Sequence, residues 1–315
     1  MLRPAGEDNV RPVSASPPRT LCLGDALVDL VGERSGAELT EIDRFSPHFG
    51  GAAANVALVA AQAGAQVSLA GGAGDDDWGR WLRDRLAAAR VDVTDFVLVA
   101  GVETPLAFVT VDGDGEPSYH LHGERPELIV RAVGDRLERA VADAAGLFIS
   151  TNTLVGAAER ALTMRARELI LARERPVVFD ANLRLHRWGS RADAAASANA
   201  CVPGALLVRA NREEAEVMTG EPDPERAALA LVKAGAQLVV VTLGPGGAIL
   251  RGALRATVAG VPCRPVNTAG AGDTLTGTLL ARLALSDFYP SSVAAGLPEA
   301  IEAAARSCER WGAVD

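Results

Sequence analysis

Hydrophobic residues fall along this chain in short continuous runs separated by longer stretches with helical spacing. The runs at 20–23, 66–70, 147–150, 176–179, 205–208 and 237–242 predict strands buried on both faces. Between most of them, at 52–63, 78–89, 156–173, 191–200 and 224–234, the apolar positions predict helices, and a further helix is expected over 274–285. This alternation implies a mostly parallel central sheet flanked by helices, an α/β architecture. Two segments break the pattern. Around 30–49 and 95–124 helical spacing fails, and alternating runs such as Leu106-Ala107-Phe108-Val109-Thr110-Val111 lead to a turn at Asp112-Gly113-Asp114-Gly115. They predict a small antiparallel β lid able to cover the ligand end of the sheet and exclude water.

Composition narrows the class. The chain has 315 residues, 49% hydrophobic and 23% charged, as expected of a folded globular protein rather than a disordered one. Residues 1–19, with Pro4, Pro12, Pro17 and Pro18, read as a flexible tail ahead of one large domain over 20–315. A net charge of -9 argues against a nucleic-acid partner. No apolar run has membrane-spanning length, and the start has no signal-peptide core. Cys22, Cys201, Cys263 and Cys308 lack C-x-x-C spacing, so free thiols in a reducing cytoplasm are expected. Lys233 is the single lysine among 31 basic residues. Phosphate loops and kinase strands that depend on a lysine are thereby excluded, and phosphate chemistry here would have to use backbone N–H groups, arginines and metal ions.

The segment Val266-Asn267-Thr268-Ala269-Gly270-Ala271-Gly272-Asp273-Thr274 carries the strongest chemical signal. It is a turn of small residues opening a helix, with one acid at its mouth. Free N–H groups at a helix start attract an anion, and glycine lets the anion approach closely. An acid in that field is unfavourable beside a phosphate unless it takes a proton from an attacking hydroxyl. The plain alternative is a glycine turn with Asp273 as a helix cap.

Other candidates lie where predicted strands end. Gly24-Asp25 and Asp29 follow the first strand. Gly50 and Gly51 open a helix that carries Asn55, which offers both donor and acceptor, although a tight turn and a solvated amide would look the same. Gly71-Gly72-Ala73-Gly74 reads as a third glycine turn without G-x-G-x-x-G spacing. Asp180, Asn182 and Arg184 could face a polyhydroxy or anionic ligand, or make a turn with a surface ion pair. Asn211 and Glu214, at i and i+3, share a helical face and could orient hydrated Mg²⁺ or simply cap the helix. His120 and His122 share a face of a lid strand and read as exposed lid residues rather than a zinc site.

Taken in order, these motifs resemble the ribokinase or PfkB family of carbohydrate kinases, from about Thr20 to Gly312. Asn267 to Asp273 is similar to the family signature D-T-x-G-A-G-D, and Gly50-Gly51-x-x-x-Asn55 to its sugar-binding signature. Asn211-Arg212-Glu213-Glu214 matches N-x-x-E, and Thr242-Leu243-Gly244-Pro245-Gly246-Gly247 matches T-x-G-x-x-G. The resemblance implies an ATP-dependent sugar kinase with Asp273 as catalytic base and the backbone of Ala269, Gly270, Ala271 and Gly272 as anion hole. It implies that Asp29, Gly50, Gly51 and Asn55 hold or pack against the sugar, that Arg184 contacts phosphate or substrate, and that the lid brings Phe108 over the sugar. Asn211, Glu214, Thr242, Gly244 and Gly247 would serve ATP, with Glu214 reaching Mg²⁺ through water.

The chain departs from the signature at its first position. Family members carry an acid there that helps form a monovalent-cation site. Asn267 removes that charge and weakens the case for K⁺, leaving carbonyl oxygens as the available ligands. The stretch Asp180-Ala181-Asn182-Leu183-Arg184-Leu185-His186-Arg187-Trp188 is similar to the D-x-N-x-R…W segment of fructokinases and 2-keto-3-deoxygluconate kinases. Fructose is the expected substrate, with 2-keto-3-deoxygluconate or ribose as alternatives. A protein that kept the fold to bind sugar or nucleotide without turnover is the competing reading. Residues 286–297, with Pro290 and Gly296, read as an irregular connection beside the adenine site or on the surface. An exposed edge of the lid sheet could pair with a second copy as a homodimer.

Overall fold

The computed structural model describes residues 19–113, 115–123 and 126–314. Among them the chain begins with β1 (Arg19–Leu23), β2 (Leu27–Gly32), β3 (Phe45–Gly50), α1 (Ala52–Gln62), β4 (Val67–Gly74), α2 (Asp77–Ala88), β5 (Phe96–Val99), β6 (Leu106–Val111) and β7 (Pro117–His122). It continues through α3 (Pro126–Gly134), α4 (Leu137–Ala142), β8 (Ala144–Ser150), α5 (Ala157–Leu171), β9 (Val177–Asp180), α6 (Arg191–Asn199), β10 (Leu207–Asn211), α7 (Arg212–Thr219) and α8 (Pro224–Lys233). It closes with β11 (Leu238–Thr242), β12 (Ala248–Gly252), β13 (Ala256–Val258), α9 (Ala271–Leu285) and α10 (Ser291–Ser307).

The described strands form two sheets. The larger has the order β13-β12-β11-β10-β9-β8-β1-β4-β5, parallel throughout except where β12 pairs antiparallel with β11 and β13. The smaller has the order β3-β2-β6-β7, with β2 and β6 parallel and its other two pairings antiparallel. Successive residues of a strand point to opposite faces, and in the large sheet both faces are covered. Val178 and Val240 pack under α1, α9 and α10, while Phe179, Val239 and Val241 pack under α3 to α8. This is the α/β fold expected from the alternating pattern.

Helix α9 is the pillar of the first layer, between α1 and α10. Gly277 sets its spacing from α1, since a Cβ there would come 2.7 Å from Cβ of Val59. Overpacking of this kind costs about 1–3 kcal/mol. The helix starts are built from local polar residues. Asp76 caps α2 by accepting from Gly79 N at 2.8 Å, and Asp223 caps α8 ahead of Pro224.

Several expectations need correction. Arg19 belongs to β1 and pairs with Asp92, whereas residues 1–18 of the expected tail lie outside the described residues. Gly71-Gly72-Ala73-Gly74 is the continuation of β4, not a turn. The glycines are needed because the strand passes very close to its neighbours. A Cβ on Gly71 would lie 2.4 Å from the carbonyl oxygen of Gly24, and one on Gly74 would lie 2.1 Å from that of Val102. Residues 96–99, inside the second expected lid insertion, form the edge strand β5 of the large sheet. Asp114, in the expected lid turn, lies outside the described residues. The stretch 286–297 is irregular only up to Pro290, after which α10 runs through Gly296 and Pro298. Its apolar face, Val293, Leu297 and Ile301, is buried against the core, and tertiary packing outweighs the weak helix propensity of proline and glycine.

Candidate active site

The carboxyl ends of β1, β9, β10 and β11, the start of α9 and the small sheet surround one cleft of about 1170 Å³. Open α/β sheets place ligands at this end because the strand-to-helix loops converge there. The cleft is lined by Asp29, Gly51, Asn55, Arg184, Asn211, Glu214, Thr242, Gly244 and Gly247, together with Ala269 to Asp273. Three expected residues do not line it, the first being Asp180, which is fully buried and paired with Arg209. Gly50 sits behind Asp29, where a Cβ would come 2.6 Å from the carboxylate, so it makes room for the acid. Phe108 points to the opposite face of the lid, stacked edge-on against Phe45 and His122. Strand alternation explains the correction: Ala107, with its cross-strand partner Leu121, faces the cleft. His120, paired with Phe108, shares that outer face with His122.

The turn before α9 is shaped by Gly270, whose φ of 75° lies in the left-handed region and whose Cβ would collide with Ala313. Among the described residues the N–H groups of Gly270 and Gly272 have no hydrogen-bond partner, and they lie at the positive end of a 15-residue helix, so they can receive an anion. The expected anion hole is narrower than predicted. Ala269 N–H is donated to Asn267 Oδ1 at 2.9 Å, and Ala271 N–H bends back to the Thr268 carbonyl at 3.3 Å.

Asp273 sits in the first turn of α9 and is 7% exposed. Asn55 Nδ2 donates to its Oδ2 at 2.8 Å, and Asn182 Nδ2 donates to its Oδ1 at 3.0 Å. Burial pushes the carboxyl up to about 7; the Asn55 hydrogen bond and Arg184 oppose this, and the nearby Asp180 and Asp25 add to it. The two amides leave their own oxygens, Asn55 Oδ1 and Asn182 Oδ1, buried without a protein partner. Buried acceptors of that kind are normally satisfied, and here they border the cleft beside Asp273, where hydroxyl donors would satisfy them.

The support beneath this turn is an arginine that lies outside every sequence motif. Arg209, on β10, is 8% exposed and reaches the cleft under Gly272, whose absent Cβ would otherwise lie 2.9 Å from its Nη1. It donates to Asp180 Oδ1 at 3.1 Å and to Thr242 Oγ1 at 3.0 Å, and it lies 3.7 Å from Glu214 Oε2. Asp180 also accepts from Thr276 Oγ1 of α9 at 2.6 Å. A sequence signal existed: an arginine inside the buried run Leu207-Val208-Arg209-Ala210, at a strand's carboxyl end, must be paired.

Asn211 and Glu214 form a full capping box, not a surface cap. Asn211 Oδ1 accepts from Glu214 N at 2.8 Å, and Glu214 Oε2 accepts from Asn211 N at 2.7 Å. Glu214 Oε1 accepts from Leu183 N at 2.9 Å, which ties α7 to the loop after β9. Arg184, from that loop, lies 6.0 Å from the Tyr119 ring centroid of the lid. Asn267 is fully buried, and its Nδ2 has no protein partner. Among the described residues no group of three or more His, Cys, Asp or Glu side chains could hold a metal ion by itself, and no helix is long and apolar enough to cross a membrane.

A cleft that joins free N–H groups at a helix start, a buried acid and paired amides can serve phosphoryl transfer to a hydroxyl. Comparison with known proteins agrees. Residues 18–309 match the pfkB family carbohydrate kinase model. The chain is 31% identical over 269 residues to probable fructokinase-7 of Arabidopsis thaliana, covering 84% of this chain and 78% of that one. It is 32% identical over 285 residues to a fructokinase of Klebsiella pneumoniae, covering 88% of each. Among solved structures it is similar to a PfkB protein from Polaromonas sp. JS666, with TM-score 0.76, 28% identity and coverage of 94% and 95%. It shares its fold with a fructokinase from Vibrio cholerae O395 in a fructose-, ADP- and calcium-bound form, with TM-score 0.80, 24% identity and 94% coverage of each chain. The chain belongs to the pfkB family of carbohydrate kinases.

Proposed function

We propose that the protein is an ATP-dependent fructokinase, which transfers the γ-phosphoryl group of Mg-ATP to a hydroxyl of fructose. The observation that carries this reading is the Asp273 carboxylate, held by two amides whose free oxygens border the cleft, one turn from the unpaired N–H groups of Gly270 and Gly272. In this reading a sugar hydroxyl binds with its hydrogen toward Asp273 and gives up its proton as the oxygen attacks phosphorus. The bond from the γ-phosphorus to its bridging oxygen breaks, and ADP leaves. The N–H groups of Gly270 and Gly272 offset charge on the transferring group. A base with a pKa near 7 is suited to proton transfer at neutral pH.

Asp29, Asn55 and Asn182 supply acceptors for sugar hydroxyls, with Gly51 as backbone wall. Asn211, Thr242, Gly244 and Gly247 would border the nucleotide. The donor set fits a magnesium ion that arrives on the nucleotide and keeps its waters, because both oxygens of Glu214 are already engaged with backbone N–H groups. Such an ion, when bound, neutralises phosphate charge; Glu214 would reach it through water. A neutral ketose suits the cleft better than a keto acid, since Arg184 is offset there by Asp25, Asp29 and Asp273. The use of ATP goes with a cytoplasmic location. A second copy would pair through the outer lid face, where Phe45 and Phe108 stack.

The test is ADP release with Mg-ATP across fructose, 2-keto-3-deoxygluconate, ribose and a nucleoside. Fructose should give the highest kcat/KM. Turnover of another sugar alone would reassign the substrate. Sugar-induced stabilisation without turnover of any sugar would overturn the kinase reading in favour of a binding protein.

A further inference from the structure

The cleft contains a pair of groups that phosphoryl transfer does not use. Cys263 and Cys308 both line it, both are partly exposed, and the Cys263 thiol is a neighbour of the Cys308 thiol. Backbone hydrogen bonds hold the two residues in the same part of the cleft. The carbonyl of Cys308, at the end of α10, accepts from Val266 N at 2.7 Å and from Asn267 N at 3.1 Å. Cys263 is only three positions before Val266, within a chain reach of about 10 Å at full extension. The other two cysteines are 0% exposed and lie in separate core clusters, Cys22 in one and Cys201 in the other.

We propose that Cys263 and Cys308 are a modification site: mild oxidation joins them in a disulfide that closes the nucleotide end of the cleft. The inference about the nucleotide rests on the fructokinase reading of this cleft, whereas disulfide formation does not. With hydrogen peroxide as oxidant, the Cys263 thiolate attacks one peroxide oxygen and breaks the O–O bond. Cys263 becomes a sulfenic acid, and hydroxide leaves and takes a proton to become water. The sulfur of Cys308 then attacks the sulfenic sulfur and forms the S–S bond. The displaced hydroxide takes the Cys308 proton and leaves as a second water. Two thiols and one peroxide give one disulfide and two waters. Burial, reinforced by the neighbouring thiol, pushes Cys308 up to about 11, which is consistent with its resolving rather than initiating role.

The functional consequence follows from what the bond would join. Gly260, Val261 and Pro262 line one wall of the cleft, and Ile301 and Ala304 of α10 line another. Residues 258–260 also pack on the Gly244–Gly247 turn, because a Cβ at Gly247 would come 2.0 Å from the Val258 carbonyl oxygen. A covalent link between Cys263 and Cys308 fixes these walls to each other where a nucleotide base must enter. Disulfides in reducing compartments are typically transient and redox-sensing, in keeping with a reversible bond here.

The test uses the whole purified protein. Reduced protein is treated with hydrogen peroxide, and intact mass, peptide mapping and ADP affinity by fluorescence titration are measured before and after dithiothreitol. The expected result is loss of two hydrogens, a 263–308 crosslinked peptide, and ADP binding weakened by about tenfold or more until reduction restores it. Cys263→Ser and Cys308→Ser should each abolish the crosslink and the reversible weakening. Absence of the crosslink in folded wild-type protein under excess peroxide would overturn the proposal, as would a crosslink that leaves ADP affinity unchanged. If the crosslink forms and weakens ADP binding while no sugar is phosphorylated, the thiol pair stands and the fructokinase reading falls.

Discussion

Asn182 holds one oxygen of Asp273 from a backbone bent into the left-handed region, at φ of 37° with Nδ2 3.0 Å from Oδ1. Asparagine tolerates that conformation better than most residues, and Thr151 Oγ1 reinforces it by donating to the carbonyls of Ala181 and Asn182. Asn182→Gly should therefore keep the loop while deleting the amide. The expected outcome is a fall in kcat of about tenfold and an upward shift in the acid limb of the kcat/KM profile, because a hydrogen bond favouring the carboxylate is lost. A pH–rate series on both proteins checks it; an unmoved limb would show that Asn182 only shapes the sugar pocket.

Asp273 also makes stability depend on pH in a defined direction. Its folded-state pKa, about 7, lies above the reference value of 3.8, so the folded protein binds more protons than the unfolded chain between those limits. Stability from this group is fullest at low pH and is lost as pH rises toward 7, by up to about 4 kcal/mol. Asp273→Asn should abolish turnover, retain sugar binding, and gain stability relative to wild type as pH rises from about 4 to 7, with no further gain above that. Urea unfolding at several pH values reads the difference, and a gain confined to acid pH would contradict the assignment.

Removing Arg209 should expose its structural and chemical roles separately. Arg209→Met leaves Asp180 and Glu214 without their shared cation, and breaking a buried pair in this way costs about 3–5 kcal/mol. Arg209→Lys should recover part of the stability but not the fork that bridges Asp180 and Thr242. Thermal melts rank the three proteins. The lysine variant, if folded, should show a raised KM for ATP through the lost Thr242 contact.

Asn267→Asp would place a carboxylate at a fully buried position whose Nδ2 now has no protein partner. An uncompensated charge there calls for a cation. The variant should become stabilised and activated by KCl far more than the wild type, measured against choline chloride at equal ionic strength. Equal responses of the two proteins would refute the link between this residue and K⁺.

Phe108→Ser tests the outer face of the lid. Because Phe108 stacks on Phe45 and His122 away from the cleft, the KM for sugar should stay within about twofold of wild type. Light scattering should show weaker self-association if that face pairs with a second copy.

The parts legible in the sequence were those with local causes. Glycine turns at strand ends and the signature before α9 announced the cleft, because backbone approach to an anion needs small residues in a fixed order. What escaped depended on tertiary neighbours. The glycines at 71, 72 and 74 serve close passage of a strand, and nothing local distinguishes that from a turn. Pro298 sits inside a helix because α10 is held by its buried face. Phe108 went to the wrong side of the lid because period-two alternation fixes which residues share a face but not which face is wetted.

The small sheet and Asp273 are built on different parts of the fold. Asp273 is anchored in α9, wedged between α1 and α10, while Asp29, Tyr119 and Leu121 reach the cleft from β2 and β7. If Asp273 is the proton acceptor proposed above, sugar selection can drift, or be redesigned, by rewriting strands at the periphery while that acid stays in place. In such a molecule a new substrate range would be acquired through the lid, and loss of activity would come through the helix.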